Sequence, residues 1–183
     1  MTIPAIAAAF LLSSNLLFAD VSRCACDLSN AQVMATRECG LCKEAENQPA
    51  GVNIFFLKDT NPRKPNRWLA LPRAHGPGGH LLADMSEADR TALWTAAIAK
   101  ASEMWSDKWG LAYNGNASRT QCHAHIHIGK LLDGIETDKF VVVDGPAHIP
   151  VPRDGMGLWV HPVEGGKLHV HLGEEICETV LLR

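Results

Sequence analysis

CHAHIHIGKLL, residues 122–132, sets His123, His125 and His127 at alternate positions with Ala124, Ile126 and Ile128 between or after them. In a strand, successive side chains point to opposite faces, so a period of two marks a half-buried strand. The pattern predicts Ala124, Ile126 and Ile128 in the core and three imidazoles on the opposite face. The first and third would lie roughly 13 Å apart at ~3.3 Å per residue, whereas a Zn–N bond is only about 2 Å. One ion cannot easily hold all three, so at least one imidazole has another task.

A neutral imidazole is a nucleophile near pH 7. Attack on phosphorus gives a phosphoramidate, and the ring leaves readily when water arrives. The central His125 suits that role, with its neighbours orienting it and binding phosphate oxygens. SRTQ (118–121) precedes the strand. Arg119 offers charge, and Thr120 and Gln121 offer hydrogen bonds. Asn116 is placed to hold a sugar hydroxyl or the turn itself. No cluster of Asp and Glu accompanies the site, so an obligatory Mg²⁺ is not expected.

Working outward, VNIFFLKD (52–59) and RWLALPRAH (67–75) read as a hairpin around the turn TNPRKPN. Residues 86–109 read as the one long helix. Ser86 caps it, Asp89 stands three residues later, and Leu93, Ala97, Ala101 and Met104 share a face. Trp94, Ile98 and Trp105 widen that face, and Gly110 ends the helix. The tryptophans 94, 105 and 109 are expected in the core or at a dimer contact. LAYNGN (111–116) follows as a strand. FVVVD, GLWVHPV, KLHVHLG and CETVLLR then read as β segments. His169 and His171 are expected on the exposed face of an edge strand, and His161 in a loop or at a strand end. The order implies an α+β domain on an antiparallel sheet, with a β-rich C-terminal extension.

The chain has 183 residues and a formal charge of −3. That length suits one domain with a real core. No basic stripe asks for nucleic acid. Residues 1–19 are apolar and uncharged, which predicts a signal peptide or membrane anchor and an exported, periplasmic or membrane-attached protein. Residues 20–50 are a turn-rich, Cys-rich segment with Cys24, Cys26, Cys39 and Cys42. Export favours disulfides there, whereas CxxC is also half of a zinc site. Cys122 is expected as a buried thiol.

Over roughly 39–132 the sequence resembles the histidine triad superfamily. The likeness runs through CGLC, FFLKDTNPRKPNRWLALPRAH, the long helix, the strand before Asn116, and HAHIHIG. NASRTQCHAHIHI is most similar to the CDP-diacylglycerol pyrophosphatase branch, which also has a Leu-Lys-Asp near the first strand, here Leu57, Lys58 and Asp59. The chain departs from that branch at His75. The resemblance implies a triad-like core at 51–135, followed by residues 136–183 as an extension of the same domain. It implies that His125 is the nucleophile, His127 contacts the attacked phosphate, His123 supports the site and Gln121 orients phosphate or leaving group. Asn116 would meet the nucleotide. It further implies a structural zinc held by Cys39, Cys42, His75 and His123, which competes with disulfides at these cysteines. Triad proteins are often homodimers.

The function expected is hydrolysis of a phosphoanhydride in a nucleotide conjugate through a nucleotidyl-histidine intermediate, with CDP-diacylglycerol as the first specific substrate. A dinucleoside polyphosphate or nucleotide sugar is the alternative within the same chemistry. A non-enzymatic alternative is an exported protein that holds zinc or copper through the triad histidines with His169 and His171.

Overall fold

The computed structural model describes Val21, residues 24–74 and residues 80–183. The predicted signal or anchor at 1–19 and the predicted zinc ligand His75 lie outside the described residues. Among the described residues, no helix is long and apolar enough to cross a membrane.

Two short helices, α1 (Ala31–Met34) and α2 (Gly40–Glu46), lie in the segment read as turn-rich. The hairpin follows as β1 (Ile54–Lys58) and β2 (Trp68–Pro72), paired antiparallel with Phe56 opposite Ala70. The long helix is α3 (Glu87–Trp105). Ser86 caps it as the sequence requires: its Oγ accepts from the Asp89 backbone N–H at 3.1 Å. The helix ends four residues before the expected 109. Ser106 leaves the helical path with φ 57°. Trp109 and Gly110 therefore open β3 (Trp109–Tyr113) instead of closing the helix.

β4 (Ile126–Lys130) carries the end of the histidine stretch. β5 (Val141–Val143), β6 (Gly157–Pro162) and β7 (Leu168–Glu174) complete an antiparallel sheet of order β1-β2-β4-β3-β6-β7-β5. The C-terminal strands thus extend the same sheet, since β6 pairs with β3. CETVLLR is not a strand. Cys177–Val180 forms a 3-10 turn, and Leu181 makes one bridge to Leu131.

α3 covers one face of the sheet. Leu93, Trp94, Ala97 and Ala101 pack with Ile126, Ile128, Leu111, Leu158 and Val170. Met104 does not join them and is 36 % exposed; Trp105 packs against the core at the helix end instead. Trp94 and Trp109 are core residues. Ile126 and Ile128 belong to this apolar face, so His127 between them is left to the other.

That other face is shaped by small residues. Gly110 of β3 lies opposite Gly129 of β4, with Ala112 two positions on. A Cβ on Gly110 would come within 2.6 Å of the Leu181 side chain, and one on Gly129 within 3.2 Å. The missing side chains form a trough in which Cys177, Val180 and Leu181 are buried. The C-terminal segment is therefore laid directly beside the histidine strand.

Candidate functional site

His125 and His127 line a cavity of about 780 Å³ on the face away from α3. The cavity is bounded by α2 and the residues before it, by the β1–β2 hairpin, by residues 118–121 and by Glu178 of the C-terminal turn. Two disulfides hold the first of these walls. Cys24 is bonded to Cys122, and Cys26 to Cys39. The Cys122 backbone N–H also donates to the Glu38 carbonyl at 2.8 Å. The N-terminal segment is thereby fastened to the residue that precedes the triad.

The three histidines do not share one surface. Residues 122–125 have not yet entered the strand. His123 is wholly buried, and its Nε2–H donates to the Pro72 carbonyl at 2.6 Å. It does not line the cavity, which corrects the expectation of three imidazoles facing one cleft. It still serves the site through its backbone. The His123 carbonyl accepts from His125 Nδ1–H at 2.8 Å. Since a carbonyl only accepts, the proton of neutral His125 sits on Nδ1 and its lone pair on Nε2. His125 and His127 stand edge to face, with ring centroids 4.9 Å apart.

Both rings are held neutral. Burial, and secondly the neighbouring His127, lowers His125 to about 3. Burial also lowers His127, to about 4, against the pull of Glu178. Glu178 Oε2 lies 3.8 Å from His127 Nδ1. Burial opposes ionisation of Glu178, but His127, Lys64 and Arg67 outweigh it and hold the carboxyl down to about 2. Lys64 pairs with Glu178 Oε2, and Arg67 donates to the same oxygen at 2.7 Å.

An acid-stability prediction follows from these positions. In the unfolded chain both histidines take up protons near pH 6.5; in the folded chain they do so only near 3 and 4. The unfolded state therefore binds more protons between those limits, and stability falls as pH drops from 6.5 towards 4. Each ring contributes up to about 1.4 kcal/mol per pH unit within its window. The urea midpoint should fall from pH 7 to pH 5, and less steeply in a His125→Ala/His127→Ala variant. Equal slopes in the two proteins would contradict the assignment.

The remaining expected residues divide. Gln121 lines the cavity, and its Oε1 accepts from the Leu41 backbone N–H at 3.1 Å. That bond ties it to the start of α2. Thr120 is exposed at the cavity rim. Arg119 reaches the cavity, but its guanidinium is buried over the Tyr113 ring at 4.8 Å and donates to the His80 carbonyl at 3.2 Å. It braces the His80 carbonyl and the Asn116 side chain. Asn116 does not line the cavity. Its Oδ1 accepts from Arg119, and its backbone N–H donates to the Gly155 carbonyl at 2.7 Å. Asn114 lines the cavity in its place and accepts from the Glu178 backbone N–H at 2.9 Å. Lys58, Lys64, Asn114 and Glu178 are site residues that the sequence reading missed. Leu57-Lys58-Asp59 was the one available pointer, because all three line the cavity.

The expected zinc set is not assembled among the described residues. Cys39 is in a disulfide with Cys26, the alternative the sequence left open. Cys122 is likewise bonded to Cys24 and is not a thiol. Cys42 remains a buried thiol 3.8 Å from His80 Nε2, and burial raises its pKa to about 11. Among the described residues, Glu136, His161, His169 and His171 bring metal-ligating atoms within 4.8 Å of one another; the sulfurs of Cys24, Cys26 and Cys122 are equally close but are spent in the two disulfides.

No family model matches this chain, and no curated protein sequence matches it.

Proposed function

We propose that the chain is a hydrolase of nucleotide conjugates that works through a nucleotidyl-histidine intermediate, as its resemblance to the histidine triad superfamily implies. One observation carries the reading: the His123 carbonyl fixes the proton of His125 on Nδ1, so a neutral Nε2 lone pair belongs to a side chain lining a cavity of about 780 Å³ that also holds Arg37, Lys58, Lys64 and Arg119.

The steps balance without a co-reactant other than water. His125 Nε2 attacks the α-phosphorus and forms a P–N bond. The P–O bond of the anhydride breaks, and its electron pair leaves with the second phosphorylated product. That product departs as a phosphomonoester anion and needs no obligatory proton. Water then attacks the same phosphorus, the P–N bond breaks back to neutral His125, and the water proton passes to solvent. Lys58 and Lys64 supply positive charge for the phosphate oxygens, and the Gln121 amide and Thr120 hydroxyl supply donors. Leu57 and Leu69, opposite one another on β1 and β2, give an apolar wall for a base or an acyl chain. CDP-diacylglycerol is the first specific substrate in this reading, with dinucleoside polyphosphates and nucleotide sugars next.

Hydrolysis in ¹⁸O-water tests the position of attack. The label is expected in the nucleoside monophosphate and not in the other phosphorylated product, with turnover persisting in chelator. Label in the second product, or no hydrolysis of any of the three substrate classes, overturns the reading.

A further inference from the structure

The triad face of the sheet carries a second group of histidines. In register across the strands, His127 lies opposite Ala112, Ala112 opposite Trp159, and Trp159 opposite His171. His171 is thus three strands from His127, about 14 Å at ~4.8 Å per strand. The expectation for this region was an exposed edge strand. Instead β7 lies between β6 and β5, His171 is 1 % exposed and His161 is 5 % exposed. The side chains at 161, 169 and 171 share one face because they occupy alternate positions on two paired strands, with His161 directly opposite His169.

The loop after β4 adds Glu136. Its Oε1 lies 3.4 Å from His161 Nε2 and 2.5 Å from His169 Nδ1. His161 Nε2 lies 3.4 Å from His171 Nε2. In a tetrahedral site with bonds of 2.0–2.1 Å, neighbouring ligand atoms are roughly 3.3–3.4 Å apart. Two of the six ligand–ligand distances already have that length, the Glu136–His169 hydrogen bond would need to open, and the remaining pairs lie within 4.8 Å.

The proton positions point the same way. His161 Nδ1–H donates to the Pro162 carbonyl at 3.1 Å, which leaves the lone pair on Nε2. Thr137 Oγ1 lies 3.3 Å from His171 Nδ1; accepting from it, the hydroxyl turns the His171 lone pair to the same point. Such outer partners hold metal-ligating imidazoles in the required tautomer. The rings are also clamped. Trp159 stacks on His171 at 3.5 Å and Phe140 on His169 at 3.7 Å. Glu136 is half exposed, so the group has a path from solvent.

We propose that Glu136, His161, His169 and His171 bind a divalent first-row transition ion of the zinc class. Three imidazoles and one carboxylate suit Zn²⁺ and its neighbours and disfavour Mg²⁺ and Ca²⁺. All four positions are filled by protein, so the role is structural: the ion staples the loop bearing Glu136 onto β6 and β7. The inference stands apart from the triad chemistry, since Trp159 separates the two groups and no ligand is shared.

The test is Zn²⁺ binding to the chelator-stripped full chain, followed by metal analysis and by the thermal shift on adding Zn²⁺. One Zn²⁺ per chain is expected, with a rise in Tm. His161→Ala/His171→Ala should lose it, and Glu136→Gln, at a half-exposed position, should bind at least ~10-fold more weakly with an unchanged metal-free Tm. His125→Ala/His127→Ala and Cys42→Ser should bind as wild type. Absence of stoichiometric uptake by the wild type, uptake unaffected by the first two variants, or loss in either of the last two overturns the proposal.

Discussion

His125→Ala should lower kcat/KM for the hydrolysed nucleotide conjugate by at least ~10⁴-fold, the scale seen when a covalent nucleophile is removed. Tenfold corresponds to about 1.36 kcal/mol, so about 5.4 kcal/mol of transition-state stabilisation is lost. The fold should survive. The ring packs at the cavity wall and makes one local hydrogen bond, to the carbonyl two residues earlier. Without the ring, that carbonyl faces cavity water. The circular dichroism spectrum and Tm should therefore stay close to wild type. His127→Ala keeps the nucleophile and removes only a neighbour of the phosphate, so a smaller loss of about 10²–10³-fold is expected. A His125→Ala enzyme within tenfold of wild type would contradict the assignment, and so would a larger loss in His127→Ala.

The second large effect concerns stability. Arg67→Ala should destabilise the chain by about 3–5 kcal/mol, the usual cost of breaking a buried pair by deleting one partner. Arg67 is 2 % exposed. Its guanidinium donates to Glu178 Oε2, to the carbonyl of Glu178 at 2.9 Å, to that of Leu182 at 3.1 Å, and to that of Leu181. Deleting it removes the side-chain donor from the Leu181 and Leu182 carbonyls and one donor each from the Glu178 carbonyl and carboxylate, which keep the Leu181 N–H and Lys64. For a chain of this size the loss corresponds to roughly 6–20 °C in Tm. Arg67→Lys restores the charge but not the fork, and should fall between. Because Glu178 is held beside His127 by this network, turnover should fall along with Tm. A variant within about 1 °C of wild type would show that the C-terminal segment is held by its apolar contacts in the trough alone.

The parts of this molecule that could be read from the sequence are those specified locally. Ser86 and Asp89 set the start of α3, the turn between Asp59 and Arg67 sets the hairpin, and alternation sends Ile126 and Ile128 into the core. His127 then reaches the opposite face by the same alternation. His123 and His125 precede the strand, so a period of two does not dictate their directions: His125 turns to the cavity, held by the His123 carbonyl, whereas His123 turns to the Pro72 carbonyl. What remained hidden depends on strand order. Nothing near His127 announces that Glu178 will lie beside it; that follows from Gly110, Gly129 and Ala112 making room for Leu181. The Glu136, His161, His169 and His171 group needs the pairing of β6 with β7 and the return of the loop after β4. The pairing of Cys24 with Cys122, 98 residues apart, is equally a consequence of tertiary folding.

The most direct test of the central claim is rapid acid-free quenching during turnover, followed by peptide mass spectrometry. The account predicts a nucleoside monophosphate joined to His125 through a P–N bond, absent in His125→Ala and released as free monophosphate when the quenched protein is acidified. An adduct on another residue, or a substrate turned over with no adduct at any quench time, would contradict it.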